Sequence, residues 1–406
     1  MKLTKLSLAA IIAVGALGSF ASATPIEEAI KGVDVSGLVR YRYYYGTEFI
    51  GSRYANIQED PVTGELYTDD KESFNRYSAS LNVLTPIADA FSAGVSVRAE
   101  GNFAEGERKG SAASYGTLAS VTGLDKAFFQ YAANGVTAKI GKFEIPTPWT
   151  ESGYNGNRGN GVLALYSGVK DWTFAGAYYN QVAGTVTDGL GVGERDLYAV
   201  AAIGAAGPVA LQFWAAHNVQ VFDTVYAEAV LNLNGIYAKG QVNWLKLADE
   251  TITALGLDPD KDDGLFFGVE GGYKGKSDNV AFNAIAGYTK NDKDQGIYAL
   301  DDDNDGFIRF GKQLYYATTN SADTQVLFLK GGVVVDKFGV ELGVGQAEFK
   351  DSGDKWKPLE GYLTGSYAYA KNFGFELYYS YLDLDDGKVN NEDANHEIRF
   401  QAQYKF

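Results

Sequence analysis

From residue 34 to the final Phe406, runs of alternating apolar and polar residues are joined by connections that are by turns short and long. Side chains of an extended strand point to opposite faces in succession, so each run has one apolar and one polar face. The last run, "HEIRFQAQYKF", places Ile398, Phe400, Ala402, Tyr404 and Phe406 on one face. Glu397, Arg399, Gln401, Gln403 and Lys405 lie on the other. Such a strand fits a soluble sandwich, or a membrane barrel with its apolar face to lipid and its polar face to a wet lumen. The connections separate the two.

Eight short, turn-like stretches fall at 85–90, 133–135, 167–171, 204–208, 232–235, 274–279, 335–339 and 371–374. Several carry the Gly and Asn that supply positive φ in tight hairpins. Between them lie longer stretches rich in Asp, Gly, Asn and Lys, such as 46–71, 104–123, 249–263, 291–323 and 383–394. A sandwich seldom keeps this order, whereas membrane barrels have short periplasmic turns and long outer loops. With both termini on the short-turn side, eight turns imply nine loops and about 18 strands, sixteen being the alternative.

The strand faces agree. Val39, Tyr41, Tyr43 and Tyr45 oppose Arg40 and Arg42; Tyr77, Ala79, Leu81 and Val83 oppose Arg76, Ser78, Ser80 and Asn82. Val95, Val97 and Ala99 oppose Ser96, Arg98 and Glu100, while Leu377, Tyr379 and Tyr381 oppose Glu376, Tyr378 and Ser380. An arginine facing mid-depth lipid costs about 2–4 kcal/mol, so the charged faces look into water. The expectation is an all-β, single-domain, transmembrane antiparallel barrel enclosing a pore. Closure pairs the last strand with the first and removes free edges.

The amino terminus reads as an export signal. Lys2 and Lys5 precede a short apolar run that ends at Ala21-Ser22-Ala23, so residues 1–23 form the expected cleaved segment. Residues 24–33 would be a short periplasmic segment and 34–406 the barrel. No apolar run of 18 residues follows, so a helical span is not expected. The chain has no Cys and a net charge of −16, which excludes thiol chemistry and argues against nucleic acid. His217 and His396 are the two histidines and there is no G-x-S-x-G, so an enzyme is not expected.

"MKLTKLSLAA", "TPIEEAIKGVDVSGLVRYRYYYG" and "IRFQAQYKF" together resemble the Campylobacter-type major outer membrane porins, and "KIGKFEIPTPWTESGYNGNRGNGV" corresponds in the middle of the chain. The resemblance implies an 18-strand homotrimeric general porin of the bacterial outer membrane, passing small hydrophilic solutes with a preference for cations. It requires no cofactor. It also implies contact with lipopolysaccharide and with the barrel-assembly machinery, for which Phe400, Tyr404 and Phe406 form the terminal signature. A surface adhesin and a substrate-specific porin are the alternatives.

A wide pore needs a constriction to select. The third outer loop, following Val136–Gly141 and running through Lys142, Phe143, Glu144, Pro146, Pro148, Trp149 and Glu151 to Arg158, has two prolines and an aromatic to stiffen it. Porins of this resemblance fold that loop inward. The expected constriction therefore sets Arg40, Arg42, Arg76 and Arg98 on the wall against Glu100, Glu144, Glu151 and Arg158, creating a transverse field. Calcium is a separate matter. Asp301, Asp303, Asp305 and Gly306 match the opening of an EF-hand loop, but Lys312 stands where a bidentate Glu is required. A solvated acidic loop is the competing reading. The related porins hold calcium near the third loop; Glu151 is present there, but Asn155 replaces the Asp of the family pattern.

Overall fold

A computed structural model describes residues 33–46, 58–59, 66–67, 72–105, 123–154, 156–183, 195–297, 306–351, 354–383 and 395–406. The expected signal segment, 1–23, and nearly all of the segment 24–33 lie outside the described residues, as do Asn155, Asp301, Asp303 and Asp305.

Eighteen long strands make the wall. They are β1 (Asp34–Gly46), β2 (Glu72–Ala88), β3 (Phe91–Glu105), β4 (Gly123–Ala133), β5 (Val136–Glu144) and β6 (Arg158–Tyr166). Next come β7 (Trp172–Ala183), β8 (Leu197–Ala206), β9 (Val209–Asn218), β10 (Phe222–Leu233), β11 (Ile236–Leu247) and β12 (Asp263–Ser277). The last six are β13 (Val280–Asn291), β14 (Thr324–Val335), β15 (Phe338–Asp351), β16 (Leu359–Ala370), β17 (Phe373–Asp383) and β18 (Asn395–Lys405). Each pairs antiparallel with its sequence neighbours, and β18 pairs with β1 from Leu38↔Lys405 to Gly46↔Glu397. The sheet is closed. Phe406 completes the seam: its N–H and C=O exchange hydrogen bonds with Gly37 at 3.1 and 2.8 Å. A Cβ on Gly37 would lie 2.4 Å from the Phe406 ring, so the seam requires a glycine there.

All eight short turns fall where the sequence places them. Asn134-Gly135 and Asn234-Gly235 both have positive φ at two successive residues (52° and 77°; 51° and 88°), the handedness that matches strand twist. The strands run further into several turns than their composition suggests; β2 continues to Ala88 through Pro86. At the other end one connection departs from the pattern. Only residues 219–221 join β9 to β10.

Alternation sorts the side chains as expected. Val39, Tyr77, Val95 and Leu377 are exposed on the outer face, while Arg40, Ser78, Ser96 and Tyr378 are buried inside. The inner face is not uniformly polar, however. From β6 to β11 it carries Leu163, Tyr179, Leu197, Ile203, Trp214 and Tyr226, all buried. Apolar side chains facing water would waste about 25 cal/mol per Å², so something must cover them. Two loops do. The third loop, 145–157, contributes Ile145 and Trp149 to this cluster, and the seventh, between β13 and β14, contributes Phe307. A second cluster joins Ile308, Phe310 and Leu314 of the seventh loop to Phe328, Ala347 and Tyr362 on β14–β16. The long loops also hold two short helices, α1 (Asp249–Leu255) and α2 (Tyr315–Asn320).

Candidate pore constriction

The third loop is shorter than its sequence suggests, because Lys142, Phe143 and Glu144 still belong to β5 and Arg158 already opens β6. Glu144 and Arg158 are register partners at the mouth of the loop. Inside it, the Thr150 hydroxyl donates to the Ile145 carbonyl at 2.6 Å, tightening a turn that contains Pro146 and Pro148. Trp149 then reaches the far wall. Its indole N–H donates to Asn243 Oδ1 on β11 at 2.8 Å, and its ring meets Trp214 and Tyr226 edge-on at 6.4 Å. At the other end Tyr154 touches the near wall, its hydroxyl donating to the Ala99 carbonyl on β3 at 2.6 Å. The loop therefore spans the lumen and is fixed at both sides.

The four wall arginines are all inside. Arg40 is 6% exposed, donates to the Ser78 hydroxyl at 3.4 Å and lies 5.0 Å from the centre of the Tyr154 ring. Arg98 donates to the Tyr154 carbonyl at 2.8 Å, with its guanidinium 5.5 Å from the same ring. Arg42 donates to Gln401 at 2.5 Å and to the Tyr44 hydroxyl at 3.3 Å, both neutral partners. Arg76 forms an ion pair with Glu100. The loop thus presents the ring of Tyr154 to Arg40 and Arg98, and Arg98 also lies 3.6 Å from Asp125 on β4. Burial, with Glu100 nearby, raises the Tyr154 phenol pKa, so it stays neutral.

The acidic candidates are largely matched. Glu144 accepts the Gly153 N–H at 2.8 Å and lies 3.9 Å from Arg158, while Glu100 is held by Arg76. Glu151 sits partly buried on the loop with partners of its own. Arg158 borders the cavity below the loop but is almost wholly enclosed. It is 4% exposed and clamps the loop base, donating in a fork to Asp125 at 3.0 Å on both arms and to the carbonyls of Gly153 and Gly156.

Asp125 was not legible in the sequence. A bulge opposite Ser96 and Val97 shifts the register of β4, bringing both Asp125 and Lys126 into the lumen. Lys139, which lies 5.1 Å over the Phe128 ring, was also missed; β5's alternation was the available signal. Arg399 stands on the polar face of the last strand and pairs with Glu376 at 2.5 Å. Below the third loop a cavity of ≈ 770 Å³ runs to the short-turn end, reaching from Tyr154, Lys126 and Lys139 to Gln403 and Asn372.

The seventh loop is a second inward arm, where the sequence suggested a solvated acidic loop. Its run Asp301–Asp305 is outside the described residues, but from Gly306 onward the chain lies against the wall. Tyr226 and Gln241 donate to the Gly306 carbonyl at 3.0 and 2.5 Å, and Gln241 accepts the Ile308 N–H at 2.6 Å. A Cβ at Gly306 would sit 2.4 Å from the Pro148 carbonyl, so the two arms touch. Lys312, at the twelfth position of the EF-hand-like run, has its ammonium 4.7 Å over Tyr362 and 5.4 Å from Tyr378. Burial lowers its pKa despite Glu341 and Glu376. Among the described residues no group of three or more carboxylates or histidines converges as a metal site.

Comparisons place this architecture. Residues 1–184 match the family described as Campylobacter major outer membrane protein. Among curated proteins no sequence matches the chain. The fold is similar to that of OccAB1 from Acinetobacter baumannii, with TM-score 0.67, 13% identity, and 93% of this chain and 98% of that one covered. It is equally similar to a BenF-like porin from Pseudomonas fluorescens, with TM-score 0.67, 10% identity, and coverage of 93% and 99%. OccK5 from Pseudomonas aeruginosa gives TM-score 0.66 at 10% identity, with coverage of 92% and 98%. At these identities the likeness is one of fold.

Proposed function

We propose that this chain, which belongs through its first 184 residues to the Campylobacter major outer membrane protein family and is a porin of the bacterial outer membrane, passes ions and small hydrophilic solutes by diffusion, without catalysis. The observation that carries the reading is the third loop, anchored through Trp149 on one wall and Tyr154 on the other beside Arg40 and Arg98. It leaves a narrowed, polar passage between the arms and the β16–β3 wall. Diffusion through a wet passage requires no cofactor; calcium at Glu151 or at Asp301, Asp303 and Asp305 would be an accessory.

Selectivity follows from where charge is fixed. In the constriction Glu100, Asp125, Glu144 and Glu376 each face an arginine, Asp125 and Glu144 sharing Arg158, so these carboxylates add little free negative charge to the passage. The nine connections at the long-loop end carry 28 of the chain's 51 acidic residues and 12 of its 35 basic ones. Their net charge of −16 equals that of the whole chain. With the constriction's carboxylates paired, a cation preference would come from the acidic connections, modestly and by a long-range effect. The Debye length falls from about 10 Å at 0.1 M salt to about 3 Å at 1 M, so this preference fades with salt.

Trimerisation, removal of residues 1–23, recognition of Phe400, Tyr404 and Phe406 by the assembly machinery, and lipopolysaccharide contact belong to the same proposal. Conductance in planar bilayers under a salt gradient tests its core. Ohmic, water-filled steps with a reversal potential on the cation side at low salt are expected; absence of conductance from folded protein rejects the channel reading.

A further inference from the structure

The seventh-loop arm carries a feature that its anchoring does not need. Its tip is held by Glu360 on β16, which is fully buried and lies across three backbone donors. The N–H groups of Lys312 and Leu314 reach its carboxylate at 2.6 and 2.8 Å, and that of Gln313 at 3.2 Å. The Ser380 hydroxyl adds a fourth hydrogen bond at 2.7 Å, and the Gln313 side chain in turn donates to Ser380 at 2.9 Å. Gly311 has φ +96°, and a Cβ there would lie 2.1 Å from Glu360 Oε2, so the turn that makes this latch demands glycine. Apolar packing of Phe307, Ile308, Phe310 and Leu314 already fixes the arm. What the latch adds is direction. It fixes the backbone of three successive residues, and the first of them, Lys312, carries a charged side chain.

The side chain so aimed is partly exposed to the lumen and makes no ion pair among the described residues; its contacts are the rings of Tyr362 and Tyr378. Tyr378 also stacks under Arg399, 4.5 Å from its guanidinium, and Arg399 stands two residues from Gln401, the partner of Arg42. The ammonium therefore joins the cationic arc of β18 and β1 from the opposite, loop-borne side. Its charge is not neutralised by a carboxylate in contact, unlike Arg76, Arg158 and Arg399.

We propose that Lys312 is a selectivity-determining residue of the passage, a cation carried on the second arm and aimed by the Glu360 latch, which restrains cation flux and receives the anionic group of a passing solute. This rests on the channel reading above. A mobile ion crossing within a Debye length feels this charge, which Glu341, Glu376 and Glu360 offset without a direct ion pair, more than one held in contact with a carboxylate.

Reversal potentials and unitary conductance of Lys312→Gln, Lys312→Arg and Glu360→Gln, each checked for heat-modifiable migration as a folded barrel, test it. Lys312→Gln should raise the cation-to-anion permeability ratio about twofold at 0.1 M salt and much less at 1 M. Lys312→Arg should restore the unmodified value, which a merely structural lysine would not require. Glu360→Gln should leave the barrel folded but add open-channel noise, because the aim of residue 312 is loosened. If folded Lys312→Gln conducts with the reversal potential of the unmodified chain, the inference is overturned while the channel reading stands. If the unmodified chain does not conduct, the channel reading itself fails.

Discussion

The two inward arms occupy the same lumen and are fixed by different chemistry. The third loop is held at its base by a buried ion pair, Arg158 on Asp125, and at its tip by an aromatic, Trp149, against Trp214 and Tyr226. The seventh loop is held by a row of apolar side chains and by one buried carboxylate, Glu360, that collects backbone N–H groups. In the first arm a charge is paired with a charge; in the second a charge is solvated by peptide dipoles. The lesson concerns failure. Removing one member of a buried pair strands the other, at about 3–5 kcal/mol, whereas losing a carboxylate among neutral donors leaves no charge behind.

The largest effect should therefore come from Asp125→Ala, which strips the buried Arg158 of its forked partner and leaves it Glu144 at 3.9 Å and backbone carbonyls. The third loop should detach at its base, raising unitary conductance and lowering the temperature at which the barrel unfolds in detergent. Conductance and thermal stability unchanged from the parent would show that the ion pair does not hold the arm. Trp149→Ala comes next. Truncating a buried aromatic costs about 3–5 kcal/mol where the site cannot collapse, but here lumen water can enter the gap, so the lower end applies. Its conductance increase should exceed that of Phe310→Ala if the third arm is the narrower one, and the reverse order would assign the constriction to the seventh.

Smaller effects sharpen the electrical side of the comparison. Arg42→Ser should raise conductance and shift the reversal potential toward cations, because among the described residues the side-chain partners of Arg42 are neutral and its charge is not held in an ion pair. Glu151→Gln should shift it toward anions by less, and no shift from either would move the constriction elsewhere. Smallest of all is the asymmetry of the whole pore. With the connections at one end of the strands carrying most of the chain's excess of acidic residues, current in symmetric low salt should differ modestly between voltage polarities and become symmetric at 1 M. Rectification that persists at 1 M would contradict an origin in the loop charges.

Much of the barrel was readable without coordinates, and the reason is local. Period-two alternation and turn chemistry act over a few residues, so Asn134-Gly135 and Asn234-Gly235 announce their hairpins, and Arg40 and Arg42 announce their face. The third loop was readable for the same reason, since Pro146, Pro148 and Trp149 are a stiff, apolar insert between strands. The seventh was not. Its acidic run Asp301–Asp305 dominates its composition and suggests solvent, while Phe307, Ile308 and Phe310 immediately after it are the residues that dock. Lys312 was visible only as the wrong residue for a calcium loop.

The sequence by itself determined the strand count, the closed topology and the lumen face of Arg40, Arg42, Arg76 and Arg98. Each of these depends on spacing along the chain. The tertiary structure alone decided which charges cancel. Asp125 meets Arg158 through a bulge that breaks the alternation of β4, and Glu360 meets Lys312, Gln313 and Leu314 across 46 to 48 residues of chain. Pairings of that kind depend on how loops return across a curved wall to cover the apolar patch inside it. No local period encodes where such a loop will land, because its landing place is set by burial of side chains contributed by strands far away in sequence.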